Sequence, residues 1–190
     1  MEIWIVRHGE TEWSRDGKHT GKSDVDLTAK GEDQARALAE VLGSHEFARV
    51  LSSPLRRARG TARLAGFAEP EIDDRLVEFD YGEYDGLTTK EIREKRPDWN
   101  LWTDGCPGGE TPTHVRRRMD GVIIDIEEAN GDVLIFAHGH CLRILAARWL
   151  TLPGEDGRLF ALDPATISIL GYERETRVLR LWNRPGEESS

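Results

Sequence analysis

Short apolar runs alternate along this chain with segments in which apolar residues recur every three or four positions. The first run, "EIWIV" (Glu2–Val6), has the pattern of a buried strand, and "RVLSS" (Arg49–Ser53), a short stretch near Ile72 and "DVLIFA" (Asp132–Ala137) repeat it. Between them lie helical patterns: "GEDQARALAEVLG" (31–43), a helix from Pro54 to about Gly66, another from about Thr113 to Ala129, and "CLRILAARWL" (141–150). "TISILGYE" and "RVLRLWN" close the chain as a hairpin around "RET". This alternation predicts an α/β fold, a three-layer α/β/α sandwich whose central sheet is mainly parallel with an antiparallel edge strand. One domain over 1–184 is expected, with 185–190 a disordered tail.

In such sheets ligands gather beyond the carboxyl ends of the strands. Two predicted strands end there in basic residues, "IWIV" in Arg7-His8 and "VLIFA" in His138-Gly139-His140. A basic pair at the tip of a buried strand costs packing and supplies nothing structural that a polar turn would not, so a use for it is expected.

Composition narrows the use. Lys and Arg total 26 against 35 Asp and Glu, a net charge of −9 over 190 residues. That sign discourages nucleic acid and anionic membranes as partners but leaves room for a small anionic substrate where positive charge is concentrated. The two cysteines, Cys106 and Cys141, have neither metal-ligand spacing nor the density of a disulfide framework, which suits a reducing cytosol. No signal peptide precedes the first strand, and no apolar run approaches the ~20 residues of a membrane span. A soluble, cytoplasmic protein is expected, with a homodimer left open.

"GKHTGKSD" looks like a phosphate-binding P-loop, but three residues, not four, separate Gly17 from Gly21, and no helix pattern follows. In "SSPLRRARGTA", Ser53 is a natural N-cap and Pro54 a natural first helical residue. Arg56, Arg59 and Arg63 then form one solvated stripe, and Leu55, Ala58, Ala62 and Ala65 the buried face. Arg57 belongs to neither, and a cation at the positive end of a helix points to an anion contact. His138, ahead of a helix, faces free backbone amides. Histidines at i and i+2 also suit a metal, although Arg7 at the neighbouring strand tip would repel one. "RLVEFDYGEYDG" supplies four acids, Glu78, Asp80, Glu83 and Asp85, one of which becomes a proton donor if the segment folds over the basic cluster.

Taken in order, "VRHGETEW", "HTGKSDVDLTAKG", "SSPLRRARGTA", "LVEFDYGEYDG" and "FAHGHCLR" resemble the histidine phosphatase superfamily, the phosphoglycerate-mutase-like fold, over nearly the whole chain. "WNLWTDGCPGGET" and "FAHGHCLR" are similar to the subgroup of sedoheptulose-bisphosphatase-like enzymes and small bacterial acid phosphatases. The resemblance implies a phosphomonoesterase acting on small phosphorylated metabolites without metal or cofactor. It makes His8 the nucleophile, Arg7, Arg57 and His138 the clamp on the phosphoryl oxygens, and Glu78, in the acid's place of an "L-x-E-x-x-Y/F-G" motif, the proton donor and acceptor. Ser14, Thr20, Gly21 and Gly139 match positions that line the family's substrate pocket.

The chemistry requires His8 to be neutral with its second ring N–H bonded to a carbonyl, while a protonated His138 joins the arginines around the phosphoryl group. The loops around Glu83 and from Trp99 to Glu110 are expected to set specificity. Two rivals stand beside this reading: a 2,3-bisphosphoglycerate-dependent phosphoglycerate mutase, and an inactive module that binds phosphorylated ligands.

Overall fold

Both faces of the first strand, β1 (Ile3–Arg7), are apolar, and in the computed structural model, which describes residues 1–186, both are covered. Ile3 and Ile5 enter one core with Val133, Ile135 and Leu170, while Trp4 and Val6 enter a second with Leu134, Phe136 and Ile167. That is the two-residue period of a strand buried on both sides.

From β1 the chain passes through α1 (Glu12–Arg15), α2 (Ala29–Gly43), β2 (Arg49–Ser52), α3 (Arg56–Leu64) and β3 (Glu71–Ile72). Single turns, α4 (Thr89–Lys95) and α5 (Leu101–Asp104) follow, then α6 (Pro112–Glu127), β4 (Val133–Ala137), α7 (Gly139–Trp149), β5 (Thr166–Glu173) and β6 (Thr176–Pro185). The strands form one sheet in the order β3-β2-β4-β1-β5-β6. Its first four members are parallel, and the hairpin β5–β6 is added antiparallel to β1. Leu38 and Leu42 of α2 and Ala62 of α3 cover one face; Val115, Met119 and Val122 of α6 and Ile144 and Leu145 of α7 cover the other. The three-layer α/β/α sandwich read from the sequence is the observed architecture.

Three local readings are corrected. Ser53 does not cap α3, which begins at Arg56 with Leu55 as N-cap and no side-chain cap bond. The Ser53 hydroxyl is occupied elsewhere, lying 2.7 Å from His138 Nε2 and accepting the Leu55 N–H. Asp24 substitutes for the cap: its carboxylate accepts the Arg56 N–H at 2.8 Å and pairs with the same residue's guanidinium, so Arg56 is an exposed but ion-paired side chain. Helix α7 starts two residues before Cys141, with His138 as N-cap. At the other end, β6 runs through Pro185, which belongs to the sheet and not to a tail; positions 187–190 lie outside the described residues.

Parallel registration brings the strand ends together. The His8 N–H donates to Ala137 O and the Ser53 N–H to Phe136 O, each at 3.0 Å, so Arg7, His8, Ser53 and His138 leave the sheet side by side. No helix among the described residues is long and apolar enough to cross a membrane. Cys106 and Cys141 are both free and buried.

Candidate active site

Gly9 is the residue that orients His8. A Cβ on Gly9 would lie 2.3 Å from Gly31 O, and one on Gly31 would lie 2.1 Å from Glu10 O, so the loop after β1 rests on the first turn of α2 with backbone against backbone. The Gly9 N–H donates to Thr61 Oγ1 of α3 at 3.0 Å. Fixed on two sides, the Gly9 carbonyl sits 2.7 Å from His8 Nδ1. A carbonyl only accepts, so Nδ1 carries the proton and Nε2 holds a lone pair with no hydrogen-bond partner among the described residues. His8 is 4% exposed. Burial, and behind it the charges of Arg57 and Arg7, push its pKa well below the ordinary histidine value, so the ring is neutral.

Arg7 lies on the wall of the same cavity, which encloses about 180 Å³. One guanidinium nitrogen, Nη1, donates to Leu162 O. Its Nε is buried and has no hydrogen-bond partner, the one such side-chain nitrogen or oxygen among the described residues. A buried donor left unbonded costs about 1–3 kcal/mol, which is the mark of a place where an acceptor binds.

Arg57 is wholly buried and stands behind His8, outside the lining of the cavity. Its Nε donates to His138 Nδ1 at 3.1 Å, and its terminal nitrogens donate to the carbonyls of Ser23, Thr20 and Gly21. Since His138 Nδ1 accepts, His138 carries its proton on Nε2 and gives it to Ser53 Oγ. Burial and the nearby arginines hold its pKa well below the usual value. The expected protonated His138 is therefore not what the site contains: the ring is neutral and ties Arg57 to the end of β2, 5.2 Å between ring centroids from His8.

The acidic segment sorts itself by geometry. Asp80 pairs with Lys22 at 2.6 Å, Asp85 accepts from Gly21 N–H and the Ser23 hydroxyl, and Glu83 is exposed. Only Glu78, 6% exposed, lines the cavity. Its Oε1 accepts the N–H groups of Phe79 and Cys141 at 2.8 and 2.9 Å, and its Oε2 accepts that of His140 at 2.9 Å, so two of the bonds come from the first turn of α7. Oε1 is thereby saturated, and the acid form has one place for its proton, the second lone pair of Oε2. A Cβ on Gly139 would stand in ordinary contact with both, 3.6 Å from that oxygen and 3.5 Å from Arg7 Nε, so Gly139 lies between the acid and the guanidinium.

Ser14, Thr20 and Gly139 line the cavity as expected. The Ser14 hydroxyl also serves the capping box of α1, bonded to Thr11. Gly21 does not line it: its missing side chain leaves room for Phe79 O, 2.9 Å from where a Cβ would be. The segment from Trp99 to Glu110 does not line it either. It buttresses the segment that bears Glu78, with Glu110 holding the Asp80 N–H and the Arg118 guanidinium while Arg118 donates to the carbonyls of Arg75, Val77 and Glu78. Lys18, His19, Tyr81, His140 and Arg143, with Gly17 and Leu162, complete the wall. Of these His140 drew notice only as a metal ligand, and Arg143, at i+3 from it on α7, shares its helix face. His138 and His140 turn apart, one to Arg57 and Ser53, the other to Tyr81, and no three His, Cys, Asp or Glu side chains among the described residues gather as a metal site.

A neutral imidazole with a free nitrogen, an unpaired buried guanidinium donor and one carboxyl around a small cavity make a site for phosphoryl transfer. The sequence model of the histidine phosphatase superfamily, branch 1, matches residues 3–185, and the chain belongs to that family. It is 43% identical over 188 residues to an acid phosphatase of Mycobacterium tuberculosis, covering 97% of this chain and 93% of that one. It is 36% identical over 181 residues to sedoheptulose 1,7-bisphosphatase of Saccharomyces cerevisiae, covering 78% and 67%, and 32% identical over 194 residues to a probable phosphoglycerate mutase of Enterobacter, covering 96% and 90%. The solved structure of an open reading frame product from Mycobacterium tuberculosis superposes with a TM-score of 0.92 at 43% identity, covering 98% of each chain. The protein is a phosphoric monoester hydrolase of this family, acting on phosphate esters.

The Gly9–Gly31 contact yields a test. Gly31→Ala forces the Glu10 carbonyl back by about 1 Å and carries Gly9 and His8 with it, a misplacement that costs a catalytic group about 10²-fold. We expect kcat/KM to fall on that scale in a protein that still unfolds cooperatively; wild-type kcat/KM would show that the glycine contact does not set the position of His8.

Proposed function

We propose that His8 attacks the phosphorus of a small phosphate monoester through Nε2 and carries the phosphoryl group as phosphohistidine. The observation that supports this most directly is the His8 tautomer, locked by Gly9 O beside the unpartnered Arg7 Nε. Arg7 bonds a phosphoryl oxygen, and the guanidinium of Arg57, close enough to depress His8, adds charge from behind the ring while His138 holds Arg57 in place. Glu78 gives the proton on Oε2 to the departing alkoxide, so the P–O bond breaks to an alcohol. The same oxygen then takes a proton from the water that cleaves the P–N bond, releasing inorganic phosphate and restoring free His8. Ser14, Thr20 and Gly139 form the floor on which the ester sits.

A cavity of about 180 Å³ with Lys18 and Arg143 on its wall suits small phosphorylated metabolites. The two free, buried cysteines suit a cytoplasmic location. The likeness to a probable mutase supports a second reading, in which phosphohistidine returns its group to a substrate and not to water; a phosphate-release assay against a bisphosphoglycerate-primed transfer assay separates the two.

Three outcomes follow from these roles. His8→Ala should abolish turnover and the acid-labile, base-stable phosphoprotein trapped from wild type, and a label that persists in the variant would place the nucleophile elsewhere. Glu78→Gln should lower kcat by about 10²-fold or more on alkyl esters, the usual scale of general acid catalysis, while the burst on a nitrophenyl ester suffers much less. A uniform loss on both esters, or leaving-group dependence in Glu83→Gln instead, would take the acid's role from Glu78. Because His8 is held neutral by burial and by arginine charge, protonation silences it only as pH falls well past the ordinary histidine value of 6.5. The acid limb of kcat/KM, corrected for the substrate's own ionisation near ~6, should lie below that value; a limb at or above it would mean that His8 titrates as a solvated imidazole.

A further inference from the structure

Two groups on the cavity wall have no part in the reaction just described. Tyr81 is 2% exposed, and its hydroxyl has one hydrogen-bond partner, His140 Nδ1 at 2.6 Å. Were His140 the donor, the hydroxyl proton of Tyr81 would be buried without an acceptor, so the hydroxyl donates and Nδ1 accepts. His140 is therefore protonated at Nε2. Burial and the charges of Arg143, His19 and Arg7 keep the ring from becoming an imidazolium. Among the described residues Nε2 has no hydrogen-bond partner, yet it is not sealed from solvent, so its N–H reaches open space, and His140 lines the cavity. The ring is held on its flanks by Trp102 and His19, at centroid distances of 5.3 and 6.2 Å, which leaves it one orientation. Its Nδ1 stands 3.9 Å from Glu78 Oε2, the oxygen that protonates the leaving group.

Resting on the reading of Glu78 as the acid, we propose that His140 is a specificity residue that donates its Nε2–H to an oxygen on the carbon next to the esterified one, with Tyr81 as the positioning residue that fixes its tautomer. The ring borders the Glu78 oxygen that protonates the leaving group, so its far N–H is the donor available to the neighbouring hydroxyl or carbonyl of a polyol, sugar or hydroxy-acid phosphate. A simple alkyl phosphate offers nothing to it and leaves the N–H unbonded when the substrate excludes water, so the enzyme selects oxygenated esters.

The test compares kcat/KM for glycerol 3-phosphate and for n-propyl phosphate, which share their leaving-group carbon and differ in hydroxyls. Wild type should favour the glycerol ester by roughly 3- to 10-fold, the range of one neutral hydrogen bond. His140→Phe should bring the ratio toward one, and His140→Gln, whose amide keeps an N–H, should retain part of it. Tyr81→Phe should reduce the ratio without removing it, because the released ring then divides between tautomers. A ratio unchanged in His140→Phe, or a wild type with no preference, overturns the proposal. Should His140→Phe fail to fold, the ratio in Tyr81→Phe decides in the same way. Failure of the parent reading looks different: Glu78→Gln would then show no leaving-group dependence between alkyl and nitrophenyl esters, whatever the glycerol-to-propyl ratio.

Discussion

The chemistry of this site hangs on one hydrogen bond, from His8 Nδ1–H to the carbonyl of the very next residue. At 2.7 Å it decides which ring nitrogen is bare and where that nitrogen points. A carbonyl one residue away does not hold such a position by itself. Here it is fixed because Gly9 lies backbone to backbone against Gly31 and hands its N–H to Thr61, itself bonded to Arg57 O at 2.8 Å. The His8 ring is thus set by two helices of one layer, α2 and α3, packed on the sheet from which it emerges. Its electrostatics follow from the same packing, since the burial that orders Gly9 also desolvates the imidazole and keeps it neutral.

Charge is distributed against the composition of the chain. The molecule is acidic overall, yet the centre holds Arg7 and Arg57, and among the described residues Glu78 is the one carboxyl on the cavity wall. The two arginines are not equivalent. Arg57 is spent on carbonyls of the 20–23 loop and on His138, so its work is architecture plus a fixed field. Arg7 keeps its buried Nε–H unbonded. A field built from bonded, immobile groups needs no reorganisation when charge develops on a phosphoryl oxygen, which is the condition under which electrostatic stabilisation is largest.

The sequence showed the sheet's interior clearly, because a strand buried on both faces reads as an apolar run, and it showed Arg7, His8 and His138 because a charged tip on such a run breaks the local rule. The tautomer of His8 was legible from chemistry alone, although the glycine contact that supplies its carbonyl was not. What escaped was non-local. Ser53 looked like a helix cap, and only the fold shows its hydroxyl taken by a histidine 85 residues away. His138 looked like a cation because the chemistry wanted charge there, whereas a neighbouring arginine donating to its Nδ1 makes it an acceptor. Arg118 gave no signal: its value lies in three carbonyls some 40 residues upstream.

The 99–110 segment shows why the boundary between chemistry and selectivity was misplaced. Gly109 presses against the segment that bears Glu78, its Cβ position 2.2 Å from Asp80 O, while Glu110 holds the Asp80 N–H and Arg118 the Glu78 carbonyl. The segment reaches the cavity only indirectly, through Trp102, which packs against His140 and Arg143. Selectivity is left to the side of the cavity facing α7 and the Lys18–Thr20 turn, where His140, Arg143 and Lys18 project from elements whose backbones are already satisfied. Residues there can change without moving His8 or Glu78. A fold arranged in this way keeps one phosphoryl-transfer centre rigid while the wall beside the leaving group is free to read different alcohols.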